Sequence, residues 1–577
     1  MIRIQPQEDT FKKRTAVVTV FLLLAMALIC FRLFSLQIIN GSETRGLAED
    51  QYSYFKQLQP TRGEIKLVDA RDYTETFPVV ANVKKYLVFA VPGEIENSGK
   101  AAKELSEILD LDEADTLSKI TQLRRQYVPL KKQITDEERQ AVKDLKLTGI
   151  YFDSEVTRVY PEKNMLSQTL GFVGFRTDYK EGLYGLERYF EKDLAGQNGS
   201  LRGEKDSAGG WIFGGKRELV PATDGVNLIL TIDKNIQFKV EQVLKAAVED
   251  NKADGGTVIV ANPKTGAILA IANYPNFDPN NYSNVEDQAI FSSRAVVGNY
   301  EPGSVFKPIT MAAALNEGAV EADTTYNDEG FVEIDNYTIK NSDGKAHGEQ
   351  TMTQVLEQSL NTGVIFAKEQ IGNKKFYEYV QKFGFGRETG IEVRETVGNL
   401  DNLKANIKVN FHTASFGQGI SVTPIQLIQA FTAIANQGKM MRPFLVQSEI
   451  YSNGDIKKTE VHEVETVISK ETANKISAML VNVVESGHGK KAAVDGYYIA
   501  GKTGTAQVPK QNGKGYEENI NIGSFIGYGP VENPKFLMLV RIDHPRTVQY
   551  AETTAAPAFG EIAKFILNYF QVPPTRN

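Results

Sequence analysis

The chain has 577 residues, 41% apolar and 24% charged, which is an ordinary folded composition with length for several cores and no sign of long disorder. A net charge of −7 and the lack of any long basic block give no support to a nucleic-acid partner. One cysteine and five scattered histidines rule out a disulfide-stapled fold and argue against a structural zinc site, so no metal and no cofactor are expected.

The first element follows the basic trio Lys12-Lys13-Arg14. The run "TAVVTVFLLLAMALICF", Thr15 to Phe31, carries no charge. At about 1.5 Å per residue it spans about 25 Å, or about 37 Å if continued to Ile39, enough to cross a bilayer. Residues 1–14 are therefore expected as a cytoplasmic tail, 15–39 as a transmembrane helix, and everything beyond Asn40 outside the cell. A cleaved signal peptide, cut at Ala25-Met26-Ala27, is the competing reading. The apolar character that continues past that point counts against it, and bulky Ile29 counts against lipid modification of Cys30.

Residues 40–223 mix strand-like and helical stretches: "YLVFAVPGEI" from Tyr86 reads as a strand into a turn, "AAKELSEILDL" from Ala101 as an amphipathic helix. They lack a cluster of nucleophile, base and Gly-rich loop and read as structural or partner-binding. A second domain is expected from Asp224, where the strand "VNLILTI" runs to Asp233, a candidate helix N-cap. Next, two apolar β-runs flank Asn262-Pro263-Lys264-Thr265-Gly266, a hairpin signature, so this Lys-Thr-Gly is expected as an exposed turn with Lys264 solvated.

"YEPGSVFKPITMAAALNEG" holds Ser304 and Lys307. A helix is expected to begin about at Ser304, and residues three apart share a helix face, so the lysine amine can reach the serine hydroxyl. A desolvated lysine can take the proton that makes the hydroxyl a nucleophile, and free N–H groups at the helix start can hold an oxyanion. A second Ser-x-x-Lys, Ser342 to Lys345, reads as a polar loop. Ser359-Leu360-Asn361 follows within a helical pattern; its hydroxyl can relay a proton, and its amide can bind a substrate carbonyl and hold the lysine. Last, in "GYYIAGKTGTAQV", a β-prone run Tyr497 to Ala500 leads into Lys502, Thr503, Gly504 and Thr505. Two hydroxyls and an ammonium on an edge strand suit a carboxylate, Gly504 permits close backbone approach, and Lys502 would disfavour a proton on Lys307.

Ser-x-x-Lys, Ser-x-Asn and Lys-Thr-Gly in this order and at these separations resemble the active-site motifs of penicillin-binding proteins and serine β-lactamases. "RLFSLQIINGSE", "PTRGE", "RVYPEKNMLSQTLGFVG", "GLYGLERYFEKDLAGQNG", "FGFGRETGIEV" and "SFGQGISVTPIQL" further resemble class B penicillin-binding proteins. One departure is "EIKLVDARDYTETFPVVAN", where such proteins usually turn on an Asp-Arg-Asn-Gly-like stretch soon after the Arg-Gly pair.

The resemblance implies an α+β fold: an N-terminal transmembrane helix, an elongated α+β pedestal (dimerisation-type) domain over 40–223, and a transpeptidase domain over 224–577 built on a mostly antiparallel five-stranded sheet flanked by helices. It implies D,D-transpeptidation, in which Ser304 is acylated by a D-Ala-D-Ala stem peptide of peptidoglycan and an amine of a neighbouring stem takes the acyl group. Lys307 would be the base, Ser359 the proton relay and Asn361 a ligand of the substrate backbone. Lys502, Thr503, Gly504 and Thr505 would bind the carboxylate side, and the backbone N–H groups of Ser304 and Thr505 would form the oxyanion hole. β-Lactams would inhibit, and a multi-spanning membrane glycan polymerase would be the protein partner. The alternatives are a D,D-carboxypeptidase or β-lactamase-like hydrolase, and a scaffold or activator of a polymerase.

Overall fold

The computed structural model describes residues 8–40, 53–176, 179–204, 217–510, 515–548 and 550–576, so the first seven residues of the expected tail lie outside it. The chain divides into two compact units, Met1–Pro60 with Gly196–Asp224, and Thr61–Ala195 with Gly225–Asn577. In the first, helix α1 (Glu8–Phe34) continues through one π-helical turn to Ile39. Its stretch Phe11–Ile39 has a mean hydropathy of 2.6 and buries none of its side chains in protein, which fits a single membrane-crossing helix. The same unit holds three short antiparallel strands, Ser53–Leu58, Gly199–Glu204 and Glu218–Val220.

The second unit runs through strands β1 (Ile65–Asp69), β2 (Asp72–Ala90), β3 (Val128–Ile134) and β4 (Ile150–Val159), with helix α2 (Ser98–Leu109) between β2 and β3. Then come β5 (Asn227–Asp233), α3 (Lys234–Asp250), the hairpin β6 (Gly255–Ala261) and β7 (Ile268–Tyr274), and helices α4 (Lys307–Asn316), α5 (Met352–Glu357), α6 (Asn361–Lys382) and α7 (Pro424–Ala435). Strands β8 (Val446–Ile450) and β9 (Ile456–Lys458), helix α8 (Lys470–Glu485), strands β10 (Ala500–Pro509), β11 (Tyr516–Gly529) and β12 (Phe536–Asp543), and helix α9 (Ala555–Tyr569) complete it.

Two sheets organise these elements. One orders as β9-β8-β5-β1-β2-β3 with β4 also on β2, and β5 pairs in parallel with β1 and antiparallel with β8. The stretch "EIKLVDARDYTETFPVVAN" is thus the β1–β2 hairpin. The other is the expected five-stranded sheet, β7-β6-β12-β11-β10, antiparallel throughout.

Its strands alternate between two cores, as the two-residue period of a strand requires. Val258, Val260, Met538 and Val540 pack with Ile236, Leu244, Phe559 and Ile562 of α3 and α9 on one face. Ile259, Leu537 and Leu539 pack with Phe306, Phe431 and Leu480 on the other. Asp233 caps α3 as expected, accepting from the N–H groups of Asn235 and Ile236 at 2.8 Å each, and its second oxygen takes the Ala70 N–H from the β1–β2 turn at 2.7 Å. The first Lys-Thr-Gly lies in the β6–β7 turn; Lys264 is exposed there, and its ammonium is not merely solvated but donates to the Asn533 side chain.

Three of the stretches that carry the family resemblance converge on one carboxylate. Glu187, fully buried, accepts from Arg62 Nε at 2.8 Å and Arg158 Nε at 2.7 Å, with the Tyr160 hydroxyl at 3.3 Å. Arg62 also reaches Glu191 at 2.6 Å. Removing one partner of such a buried pair leaves an uncompensated charge, which costs about 3–5 kcal/mol. Glu187→Ala is therefore expected to lower the opening free energy of the segments around Arg62, Arg158 and Glu187 by that order. Amide hydrogen exchange of full-length protein checks this, and unchanged exchange in all three segments would contradict it.

Candidate active site

Ser304 does not open an α-helix. Gly303–Phe306 forms one 3-10 turn, and α4 starts at Lys307. The cause is in the sequence: in an α-helix the carbonyl of Ser304 would accept from residue 308, but Pro308 has no N–H, so that carbonyl takes the Lys307 N–H instead. In a 3-10 turn side chains at i and i+3 eclipse, which sets Ser304 and Lys307 on one side more strictly than the expected α-helix would. Gly303, at φ 58°, makes the bend that brings the chain into this turn.

The second motif is not within a helix either. Helix α5 ends at Glu357, α6 begins at Asn361, and Ser359 lies between them in the left-handed region at φ 60°. This costly conformation for a non-glycine residue turns both oxygens of Ser359 toward Lys307: its carbonyl lies 2.5 Å and its hydroxyl 3.2 Å from the Lys307 Nζ. The third motif extends further than expected, because β10 begins at Ala500 and carries Lys502 to Thr505 inside the strand rather than at its end. Lys502 Nζ donates to the same Ser359 hydroxyl at 3.0 Å and to the Thr503 carbonyl at 3.1 Å.

Lys307, Ser359, Lys502 and Thr503 are thus joined in one hydrogen-bonded cluster, with both lysine side chains wholly shielded from solvent. Burial pushes the Lys307 amine well below its ordinary value, and the neighbouring Lys502 charge pushes the same way. Burial also pushes Lys502 down to about 7. Two amines so close in a dry site cannot both stay charged near neutral pH, and the Ser359 hydroxyl between them is placed to pass a proton from one to the other.

The Ser304 turn seats directly on β10. A Cβ on Gly504 would sit 2.8 Å from Val305 Cγ1, 2.9 Å from Ser524 Oγ and 3.1 Å from the Pro302 carbonyl, so only glycine admits this contact. Thr505 presents its hydroxyl to the Ala551 N–H at 3.2 Å, which leaves its own O–H as a donor. Asn361 departs from expectation: its amide nitrogen donates to the Lys340 carbonyl at 2.9 Å rather than holding Lys307.

Three contributors were not read from the sequence. Asn341 Oδ1 accepts from the Asn361 N–H at 2.9 Å and the Thr362 N–H at 3.2 Å, capping α6, and Asp328 braces both Asn341 (2.8 Å) and the Thr362 hydroxyl (2.7 Å). Asn341 adjoins the Ser342–Lys345 loop, so that polar loop borders the site without entering its chemistry. Ahead of Ser304, Glu301 holds the Gly419 N–H at 3.0 Å and the Tyr516 hydroxyl at 3.1 Å, fastening the Ser304 turn to two neighbouring segments. Among the described residues no group of His, Cys, Asp and Glu is placed to hold a metal ion.

The chain matches known proteins along nearly its whole length. A family model described as the penicillin binding protein transpeptidase domain matches residues 256–564, and one described as the penicillin-binding protein dimerisation domain matches residues 57–230. Stage V sporulation protein D of Bacillus subtilis (strain 168) is 35% identical over 98% of this chain and 87% of its own length. The peptidoglycan D,D-transpeptidase FtsI of Escherichia coli (strain K12) is 29% identical over 96% of this chain and 91% of its own. The crystal structure of penicillin binding protein 2X from Streptococcus thermophilus has the same fold, with a TM-score of 0.78 at 24% identity over 90% of this chain and 81% of that one.

Proposed function

The chain belongs to the class B penicillin-binding proteins, serine D-Ala-D-Ala transpeptidases that cross-link peptidoglycan, and from that premise we propose that Ser304 is its acylated nucleophile. The observation that carries the reading is the convergence of two desolvated lysines on the Ser359 hydroxyl, one of them, Lys307, a single 3-10 turn from Ser304.

The neutral Lys307 amine takes the Ser304 proton as Oγ attacks the carbonyl carbon of the penultimate D-Ala. The oxyanion that forms is held by the backbone N–H groups of Ser304 and Thr505, where donors aimed at developing charge act most strongly. The C–N bond breaks, the leaving D-Ala amine receives its proton through Ser359, and the acyl group stays on Ser304 as an ester. An acceptor amine then attacks the ester, gives its proton to the base, and Ser304 regains its own. Protonated Lys502, with the hydroxyls of Thr503 and Thr505, binds the terminal carboxylate beside Gly504, and Asn361 contacts the stem backbone.

We further assign residues 40–223 as the pedestal and 224–577 as the transpeptidase domain, supported by the two matching family models. With Lys12-Lys13-Arg14 ahead of the apolar helix, the N-terminus faces the cytoplasm and the catalytic domain the outside. The pedestal would dock a multi-spanning glycan polymerase, which accounts for its lack of chemistry of its own.

Full-length protein is expected to be labelled covalently by fluorescent penicillin, and Ser304→Ala to abolish labelling; a labelled Ser304→Ala protein refutes the nucleophile. The lysine pair also fixes the sign of the pH dependence. As pH falls, Lys307 gains a proton and acylation slows; as pH rises through about 7, Lys502 loses the charge that binds the carboxylate. Stopped-flow acylation should therefore trace a bell whose alkaline limb disappears for a penicillin methyl ester. An identical alkaline limb for acid and ester would exclude the assigned role of Lys502.

A further inference from the structure

The peptide unit between Gly504 and Thr505 is gripped from behind. Strand β10 is the edge of its sheet, and Gly504 lies opposite Ser524 of β11. Ser524 is fully buried, and its hydroxyl donates to the Gly504 carbonyl at 3.3 Å. That carbonyl therefore points inward, toward β11. A trans peptide is planar with its C=O and N–H opposed, so the N–H of the same unit, which belongs to Thr505, points the other way, off the open edge of the sheet.

Behind Ser524 stands a charged, buried chain. Tyr300 neighbours Ser524, and its hydroxyl is buried without a well-formed hydrogen bond among the described residues; burial pushes its phenol up to about 12, so it stays protonated. The Arg541 guanidinium, opposite Ser524 in the register, lies 4.2 Å over the Tyr300 ring. Arg541 is fixed by Asp543 at 2.6 Å and by the Gly298 carbonyl at 2.8 Å, and Asp543 by Arg294 at 2.8 Å. A serine that gives its only proton forward to Gly504 turns its lone pairs back toward a protonated phenol. The donation from Ser524 strengthens the Thr505 N–H, because a carbonyl that accepts a hydrogen bond leaves the N–H of its own unit a better donor.

Resting on the reading that the Thr505 N–H is an oxyanion donor, we propose that Ser524 is a positioning residue of the transpeptidase reaction: its hydroxyl holds and polarises the Gly504–Thr505 peptide so that this N–H meets the developing charge. Ser524 touches neither substrate nor the reacting atoms. Its contribution acts on the transition state and not on the first encounter with the ligand, because the charge it serves exists only once Ser304 has attacked.

The test separates those two steps in full-length protein. Penicillin acylation kinetics give the dissociation constant of the pre-covalent complex and the acylation rate constant, measured beside a melting curve for wild type, Ser524→Ala and Ser524→Cys. Ser524→Ala, which removes the hydroxyl and adds no bulk, should slow acylation about 10-fold, short of the roughly 100- to 1,000-fold loss on deleting a hole donor itself. It should leave the pre-covalent constant and the melting temperature near wild type, and Ser524→Cys, a weak donor, should fall between. An unchanged acylation rate in Ser524→Ala overturns the assignment, as does a loss that tracks the melting temperature and is equal in the Cys variant. If Ser304→Ala protein is still acylated, the nucleophile reading falls and takes this one with it; if only the wild-type and Ser524→Ala rates coincide, the Ser524 assignment falls alone.

Discussion

Everything near the site follows from two ammonium-forming side chains being placed out of water around one hydroxyl. Desolvation penalises a buried charge, and among the described residues no carboxylate pairs with Lys307 or Lys502 to offset it. The pair must therefore shed a proton, and the polar group they share is Ser359. A neutral amine next to a serine is a base; a charged amine on the neighbouring strand is an anion receptor. On the proposed reading the same burial supplies both.

The fold is arranged to keep that cluster closed. Pro308 denies the first turn an α-helical bond and leaves a 3-10 turn that stacks Ser304 over Lys307. Gly504 lets the turn's backbone rest on β10, and Ser524 holds the same glycine from the sheet side. Asn341 and Asp328 pin the start of α6 and with it Ser359 in its left-handed conformation. Beneath these contacts lie two apolar cores, one on each face of the five-stranded sheet, and β10 itself is supported by α8 and by β11 beside it. The Glu187 cluster performs the matching task at a distance, joining segments around residues 62, 158 and 187 through one carboxylate.

Much of this was legible in the sequence, for a reason that can be stated residue by residue. Ser304, Lys307, Ser359, Lys502, Thr503 and Thr505 are polar residues at fixed spacing within apolar runs, and chemistry of that kind leaves a local imprint. The apolar runs on either side of Asn262–Gly266 announced a hairpin, and Asp233 announced a helix start. The two Lys-Thr-Gly copies were separable because Pro263 marks a turn and Thr505 continues a strand. The conformation of the motifs was less legible. Pro308 carried the signal for a 3-10 turn, but an Ala-rich run after it outweighs one proline in any periodicity reading. Ser359 in the left-handed region has no signal in residue type, since a serine ordinarily avoids it. Asn341, Asp328 and Ser524 lie 20 to 34 residues from the motif groups they hold, Glu301 reaches partners 118 and 215 residues on, and no local pattern records a partner chosen by tertiary pairing.

The central claim is that Lys307 and Lys502 share one proton near neutral pH. The most direct measurement is the Nζ chemical shift of each amine in nitrogen-15 lysine-labelled full-length protein, assigned by Lys307→Met and Lys502→Met, as pH is raised from about 5 to 11. The account predicts one neutral amine at pH 7 and titration of both groups well below the ordinary lysine value of about 10.4. Two ammonium signals persisting together to about pH 10 would contradict it.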